Sequence, residues 1–274
     1  MSRAPTVGII GGGGWLGGSI ASQALAAGAV SENALIVSSR SPRAGRLAQW
    51  PAVEWTADNE DLIRRSDVVI LSVRPHQFFE LALDLTGKLA ISVMAGVSMN
   101  TLRSRLGTAR LVRSMPNAAA EIGLSYTPWL AGAGVTEQDR AFISALFESC
   151  GTADEVASED QLDYLTGLSG SGPAFPALLA SAMMSHAQAR GLPPEIARRA
   201  VIGVVCNASR LLTMGDATPE QAVRTFIDYD GTTAAGLRRM MHDGFAEAVH
   251  AGLDAAASAA TAMDGARGRP TGSA

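Results

Sequence analysis

The chain has 274 residues, of which 47% are hydrophobic and 18% are charged, and its net charge at pH 7 is −4. This composition excludes a disordered chain and is typical of a globular protein with a sizeable core. Lysine and arginine form no basic cluster, so we expect no nucleic-acid partner and a small-molecule ligand instead.

The cysteines, the histidines and the N-terminus bear on the cellular location of the protein and on metal binding. Cys150 and Cys206 are too few for a disulfide scaffold and lack metal spacing, which favours a reducing compartment. The four histidines are scattered, so no metal site is predicted. No signal-peptide core is present, and the longest apolar stretch is shorter than the roughly 20 residues of a membrane span. We predict a cytoplasmic protein without a membrane partner.

The first half of the chain alternates short apolar runs with helix-length segments. Gly28 is placed to end the first helix, and Thr136 with Asp139 has the spacing of a helix cap. Alternation of this kind predicts parallel strands joined by helices. We therefore predict an α/β fold in which residues 1–157 form a Rossmann-type, doubly wound, mostly parallel sheet. The apolar runs are residues 7–10, 35–37, 68–73, 89–94 and 111–112.

The second half, after Ser158, has no strand signal. Long segments rich in Ala, Leu and Met follow, and Thr218 with Gln221 has the spacing of another helix cap. Helices with small residues and few charges suit a subunit interface, so residues 158–263 are predicted to form an all-helical substrate and dimerisation domain. We expect a homodimer or a higher homo-oligomer. Residues 264–274 are predicted to be a disordered tail.

A glycine run separates the first predicted strand from the first helix. Side-chain-free backbone followed by a helix N-terminus is what a dinucleotide pyrophosphate requires. Gly12, Gly14 and Gly17 complete a Gly-x-Gly-x-x-Gly pattern that encloses Trp15 and Leu16, whereas the register that starts at Gly11 does not complete it. The alternative is a glycine-rich hairpin without a ligand.

The end of the second strand bears on which dinucleotide binds. This stretch reads Ser38-Ser39-Arg40-Ser41 and has no carboxylate for the ribose hydroxyls of NAD. Ser39 and Arg40 suit a 2′-phosphate instead, so NADP(H) is the predicted cofactor. The alternative for Arg40 is a solvated turn residue, and Arg43 is a weaker candidate.

Two later segments end strands at the edge where a dinucleotide crosses an open α/β sheet. Val73-Arg74-Pro75 and Met94-Ala95-Gly96 are therefore predicted to line the nicotinamide half of the site. Proline would end its strand, and Gly96 would leave room for a flat ring. A pure turn role for both segments is the alternative.

Several motifs follow one another along nearly the whole chain. They are the glycine loop, Asn59, Ser72-Val73-Arg74-Pro75-His76, Ala95-Gly96-Val97, Met115-Pro116-Asn117, Leu168-Ser169-Gly170-Ser171-Gly172-Pro173-Ala174, and Gly231-Thr232-Thr233 followed by Gly236-Leu237. In this order, the motifs resemble those of the pyrroline-5-carboxylate reductase family. The resemblance implies NADPH-dependent reduction of a cyclic imine, 1-pyrroline-5-carboxylate, to proline.

The resemblance also implies roles for particular residues. It gives Asn59 a hydrogen bond to the cofactor ribose, where the alternative is a simple helix N-cap. It places Asn117 near the nicotinamide or the substrate. Ser171 and Gly172 acquire a substrate-side role, where the alternative is a kink between helices.

The turn Gly231-Thr232-Thr233 holds the substrate in the family, and the position that matches Thr233 is the proposed proton donor. A threonine hydroxyl is a poor acid, so Thr233 is expected to orient a hydrogen bond or relay a proton from water. Thr233 and Ser171 are the candidate catalytic residues.

This chain departs from the family in one place. The family usually has Ser-Pro-Gly-Gly before the threonine pair, whereas this chain reads Asp228-Tyr229-Asp230-Gly231. Asp228 and Asp230 would repel a carboxylated substrate and favour the iminium of a ring without a carboxylate. Alternatively, both aspartates face solvent and the turn binds the usual substrate.

Two other classes of protein remain to be weighed. A non-catalytic dinucleotide-binding protein is the alternative from a different class. A β-hydroxyacid dehydrogenase is disfavoured because residues 158–190 contain no lysine, and a hydrolase lacks a nucleophile elbow.

Overall fold

The computed structural model describes residues 4–39 and 45–265. Arg40 and Arg43, and most of the predicted tail, lie outside the described residues. The strands are β1 (Val7–Ile10), β2 (Leu35–Ser38), β3 (Glu54–Thr56), β4 (Val68–Leu71), β5 (Leu89–Ser92), β6 (Leu111–Ser114), β7 (Ser125–Ala131) and β8 (Gly151–Glu155). The helices are α1 (Trp15–Ala26), α2 (Asn59–Arg65), α3 (Pro75–Glu80), α4 (Met99–Leu106), α5 (Glu137–Glu148), α6 (Glu159–Leu165), α7 (Ala174–Ala189), α8 (Pro194–Ile202), α9 (Pro219–Asp228), α10 (Thr232–His242) and α11 (Phe245–Gly265).

The strands form one sheet in the order β3-β2-β1-β4-β5-β6-β7-β8. The first six run parallel, β7 is antiparallel to β6, and β8 is parallel to β7. Alternate side chains feed two cores, with Val7 and Ile9 in one cluster and Ile10 and Ile36 in the other. The prediction of a doubly wound, mostly parallel sheet is confirmed, and the order 3-2-1-4-5-6 is that of dinucleotide-binding sheets.

The predicted apolar runs all contain strands, although two runs continue past them. β4 ends at Leu71 and β5 ends at Ser92, so residues 72–73 and 93–94 form loops at the carboxyl edge. The sequence did not single out β3, β7 or β8, because none of them is a continuous apolar run. β3 and β8 are the outermost strands of the sheet.

The strand β7 reaches beyond the carboxyl end of its neighbour β6. Trp129 pairs with Ser114, the last residue of β6, so the four residues of β7 that precede Trp129 pair with β8 alone. Met115 and Asn117 then bond to this extension, because the Met115 amide donates to Pro128 O at 2.9 Å and the Asn117 amide donates to Ser125 Oγ at 3.0 Å.

The helix boundaries follow local chemistry. The Thr136 and Thr218 hydroxyls accept from the amides of Asp139 and Gln221, and both caps are confirmed. Gly28 ends the first helix as predicted, with a φ of +72°, where glycine pays no steric cost.

The described chain forms two compact units. One contains the sheet with residues up to Ser171 and the end of α11 from Ala256, and the other runs from Gly172 to Ala255. Gly167 shows why the end of α11 belongs with the sheet, since a Cβ there would lie 2.8 Å from the backbone nitrogen of Ala257. Among its described residues, the second unit is all helical, and it buries three, Ala197, Val201 and Ala234.

Candidate functional site

A cavity of about 960 Å³ lies at the carboxyl edge of the sheet. Loops that follow five successive strands of the chain, β1 to β5, line this cavity, which is centred on the point where β1 and β4 are neighbours. Open α/β sheets bind their ligands at this reversal of strand order. The lining includes Gly11, Gly13, Gly14, Trp15, Leu16, Ser39, Asn59, Val73, Arg74, Pro75, Met94 and Ala95.

The three glycines of the predicted motif occupy different environments. Gly12 is buried, and a Cβ there would lie 2.8 Å from a Val37 methyl group. Gly14 is exposed and lines the cavity. Gly17 is buried where α1 crosses the sheet, and a Cβ there would lie 2.9 Å from Ser72 Oγ. Of the three, Gly14 alone lines the cavity, while Gly12 and Gly17 allow a tight turn and a close helix–strand contact.

The start of α1 provides hydrogen-bond donors at the cavity. Gly14 is the N-cap, and the first backbone bond inside the helix runs from Gly18 N to Gly14 O at 2.9 Å. The amides of residues 15–17 therefore precede the first donor of the helix ladder. Trp15 and Leu16 line the cavity, so these amides and the positive end of the helix dipole fit a pyrophosphate.

The loops after β2 and β3 supply polar groups beside this turn. Asn59 Oδ1 accepts a hydrogen bond from Ser38 Oγ at 2.5 Å, and Asn59 lines the cavity. The N-cap alternative for Asn59 is wrong, because Asp58 is the N-cap of α2 and accepts from the amides of Glu60 and Asp61. Asp58 reaches those amides from outside the helix, whereas Asn59 is already its first residue.

The loops after β4 and β5 give different results for the two predicted segments. Val73, Arg74 and Pro75 line the cavity, and Pro75 opens α3 rather than ending a strand. Met94 and Ala95 line the cavity as well.

Gly96 has a left-handed φ of +62°, and a Cβ there would lie 2.3 Å from the Met263 Cβ. It is not among the residues that line the cavity. The missing side chain of Gly96 therefore leaves room for α11, and its predicted place beside the nicotinamide ring stays a prediction.

Both polar atoms of the Asn117 side chain form hydrogen bonds within the protein. Its Nδ2 donates to Ser169 O at 3.0 Å, and its Oδ1 accepts from the Ala119 amide at 2.9 Å. The first of these bonds joins the loop after β6 to the segment that contains Ser171, whose amide donates to Thr166 O at 3.0 Å. Neither Asn117 nor Ser171 lines the cavity.

The predicted substrate turn lies in the second unit. Gly231 is the N-cap of α10, and Thr232 and Thr233 are its first two residues. Asp228 ends α9. Asp230 is the only described residue other than glycine with a positive φ, +54°, a conformation that aspartate tolerates better than most side chains.

Asp230 also has a cationic partner in this unit. The Arg238 guanidinium donates to Asp230 Oδ1 at 2.7 Å, and both side chains are more than half exposed. The negative charge of one of the two aspartates in the turn is therefore paired.

The sequence patterns did not predict a cluster of three side chains that lies beside the glycine turn. The Glu121 carboxylate accepts from Trp15 Nε1 at 2.7 Å and from Arg46 Nη2 at 2.6 Å. The hydrogen bonds from Trp15 and then from Arg46 hold the pKa of Glu121 below its usual value. No local sequence pattern predicts the contact between Trp15 and Glu121, because the two residues lie 106 positions apart.

A second cavity, of about 660 Å³, lies at the amino edge of the sheet. Its charged groups are engaged within the protein, since Arg110 binds both carboxylate oxygens of Asp139 and Lys88 Nζ donates to Ser66 O at 2.7 Å. The described residues contain no group of three His, Cys, Asp or Glu side chains that could hold a metal ion. No helix in residues 4–39 and 45–265 is long and apolar enough to cross a membrane. Of the two cavities, the one at the carboxyl edge is therefore the better candidate for a functional site.

The strand order, the glycine turn and the carboxyl-edge cavity define a dinucleotide-binding protein with a Rossmann fold. A family model described as NADP oxidoreductase coenzyme F420-dependent matches residues 6–96, and one described as pyrroline-5-carboxylate reductase dimerisation matches residues 159–263. A pyrroline-5-carboxylate reductase of Pisum sativum is 31% identical over 250 residues, which cover 89% of this chain and 91% of that protein. The chain belongs to the pyrroline-5-carboxylate reductase family.

Solved structures agree with this assignment. A pyrroline-5-carboxylate reductase from Coxiella burnetii is similar with a TM-score of 0.85 and 27% identity, covering 95% of this chain and 99% of that one. A pyrroline carboxylate reductase from Plasmodium falciparum, solved with NADP bound, has a TM-score of 0.82 at 22% identity, covering 96% and 100% of the two chains. At that identity the second likeness speaks for the fold alone.

Proposed function

We propose that this protein reduces the cyclic imine 1-pyrroline-5-carboxylate to proline with NADPH. The observation that carries the proposal is the cavity at the strand-order reversal, lined by a glycine turn, in a chain that belongs to this family. The described lining fits a dinucleotide, because exposed Gly14 and the first amides of α1 face a space large enough for it.

Residues of the sheet unit would hold the cofactor. The backbone of the glycine turn would bind the pyrophosphate, and Arg74, an exposed cation in the lining, would offset its charge. Ser39 and Arg40 are proposed for the 2′-phosphate, and Asn59 for a ribose hydroxyl. NADPH, when bound, supplies the hydride for the C=N carbon.

Residues near Ser171 and the Gly231-Thr232-Thr233 turn are proposed to hold the imine. The start of α10 offers free amides and the positive end of a helix dipole, which suit a carboxylate. The Thr233 hydroxyl is proposed to orient the ring nitrogen or to relay a proton to it from water, since a threonine hydroxyl is a poor acid.

A cyclic imine without a carboxylate is the second candidate substrate. The observation that favours it is the pair of aspartates in the turn, which would repel a carboxylate. The Asp230–Arg238 ion pair weakens this argument, because it neutralises one of the two charges. We therefore place the carboxylated ring first.

A substrate comparison tests the proposal. Initial rates of NADPH oxidation are measured with 1-pyrroline-5-carboxylate and with 1-pyrroline, and the higher kcat/KM is expected for the carboxylated ring. A preference for 1-pyrroline would support the second candidate. Tight NADPH binding without turnover on either ring would indicate a non-catalytic dinucleotide-binding protein.

A variant separates the role of the turn from that of the rest of the site. Asp230→Gly keeps the positive φ and removes the charge. Because Asp230 is already paired and exposed, the ratio of kcat/KM for the two rings is expected to change by less than about fivefold. A larger gain for 1-pyrroline-5-carboxylate would mean that Asp230 opposes the substrate carboxylate.

We also propose that the functional protein is a homodimer or higher oligomer formed through the helices after Gly172. The dimerisation family model covers these helices, and they expose large apolar side chains such as Leu178 at 72% and Met241 at 58%. A cytoplasmic location remains our proposal, supported by Cys150 and Cys206, which are both free thiols.

A further inference from the structure

One carboxylate connects the glycine turn to the segment that follows β2. Glu121 accepts from the Trp15 indole with one oxygen, at 2.7 Å, and from the Arg46 guanidinium with the other, at 2.6 Å. Trp15 is the first residue of α1, and Arg46 follows the residues that are proposed for the 2′-phosphate. Three separate parts of the chain thus meet at one side chain.

Glu121 is itself held in place from a second direction. It lies in a short 3₁₀-helix, Ala118–Ile122, and its backbone oxygen accepts from Gln23 Nε2 at 3.2 Å. Gln23 is on the same helix, α1, as Trp15. Because residues of α1 donate hydrogen bonds to both the backbone and the side chain of Glu121, the carboxylate has a fixed position relative to the first turn of that helix.

The cluster matters to the cavity through Trp15. Trp15 is 50% exposed and is one of the residues that line the cavity, as is its neighbour Gly14. A half-exposed tryptophan without a partner would have to be immobilised when a ligand binds, which would oppose binding. The hydrogen bond to Glu121 fixes the ring before binding, and Arg46 balances the carboxylate charge beside an anion site.

We propose that Glu121 is a positioning residue for the dinucleotide: through Trp15 it holds the first turn of α1 in the geometry that binds pyrophosphate. Glu121 is not among the residues that line the cavity, so it acts through its neighbour. The inference rests on the proposed NADPH-dependent function, and it concerns cofactor affinity rather than the hydride step.

Direct binding of NADPH and NADH to the full-length protein tests the inference. Glu121→Ala is expected to raise the dissociation constants of both dinucleotides by about three- to tenfold, because a hydrogen-bonded contact to a charged group is lost. The value of kcat at saturating NADPH is expected to change by less than about twofold, since uniform binding is removed. Both forms contain the pyrophosphate, so both should weaken equally.

A double-mutant cycle separates the contact from general loss of structure. Trp15→Phe keeps a ring and removes the indole N–H, and Glu121→Ala in that background should add less than about twofold to the dissociation constant. The emission of Trp15, taken as the difference between each protein and its Trp15→Phe form, should shift in Glu121→Ala before any cofactor is added.

Glu155→Ala is the matched control. Its carboxylate pairs with Arg140 and is 35% exposed, compared with 42% for Glu121, and it lies on β8, at the far side of the sheet from the glycine turn. It should leave the affinity for NADPH unchanged.

Three results would overturn the inference. They are an unchanged affinity in Glu121→Ala, a loss confined to NADPH, and fully additive effects of the two substitutions. A wild-type protein that binds neither dinucleotide would instead refute the proposed function, and the difference in Trp15 emission would still report on the contact with Glu121.

Discussion

The sheet unit and the helical unit bury their side chains very differently. Strands β1, β2, β4, β5 and β6 are buried along their whole length, and residues such as Ile70 and Phe147 are 0% exposed. Residues 172–255 bury only small or medium side chains and leave leucines, methionines and phenylalanines in water. The sheet unit therefore contains its own core, whereas the helical unit has the surface of a protein that needs a partner.

The largest effect is expected at an exposed apolar side chain of the helical unit. Leu178 is 72% exposed on α7, and burying a leucine contributes about 1.5–3 kcal/mol. A two-fold interface counts each residue twice, so Leu178→Glu should raise the dimer dissociation constant by about a hundredfold or more. Sedimentation velocity over a concentration series measures it.

Gln188→Glu, an added charge on the same helix, is the control for this experiment, because Gln188 is an exposed polar residue. Unchanged association of Leu178→Glu would remove this face of α7 from the interface.

The next effect tests how tightly the sheet unit is packed around its site. A Cβ on Gly17 would lie 2.9 Å from Ser72 Oγ and 3.0 Å from Gly11 O. Overpacking costs about 1–3 kcal/mol and would push α1 from the sheet, so Gly17→Val should raise the NADPH dissociation constant by at least about tenfold.

Gly252→Ala is the matched control for Gly17→Val, because a Cβ at Gly252 has no neighbour within 4 Å. Circular dichroism of both variants reports whether they fold. A folded Gly17→Val protein with native affinity would contradict the proposed role of this packing contact.

The smallest effect concerns the join between the sheet and α6, where the dimerisation family model begins. The Arg113 side chain on β6 is 4% exposed and pairs with Glu159 and Asp163 on α6. Arg113→Met would leave two carboxylates without their cation. The partners are partly exposed, so about 1–2 kcal/mol of unfolding free energy should be lost.

Thermal unfolding measures this loss, and Arg64→Met is its control. Arg64 pairs with Asp61 but is 73% exposed, so this change should cost less than about 0.5 kcal/mol. Equal melting temperatures for the two variants would mean that α6 is not anchored to the sheet by this network.

The sequence predicted those parts of the fold that depend on local patterns. Apolar runs located five strands, and the Thr136 cap was legible because its partners lie three residues apart. The sequence did not reveal β7 or β8 because neither is an apolar run: β7 contains Pro128 and hydroxyl residues, and β8 ends in two carboxylates. Such strands are defined by the partner they pair with rather than by their own composition.

For the site, the sequence identified residues that line the cavity but not the distant contacts that hold those residues in place. Gly14, Ser39, Asn59 and Arg74, which are proposed to contact the cofactor, all line the cavity, and each follows a strand at the same edge. Contacts such as Glu121 with Trp15, or Gly96 with Met263, depend on how distant segments pack, and no spacing rule encodes them.

The outer strands of the sheet carry one more consequence. β3 bears Glu54 and β8 bears Asp154 and Glu155, and all three are exposed. Unpaired strand edges are templates for fibre growth, and carboxylates there repel a second strand of the same kind. Both edges are short and charged, so the sheet is a poor template for edge-to-edge pairing with a second copy of the chain.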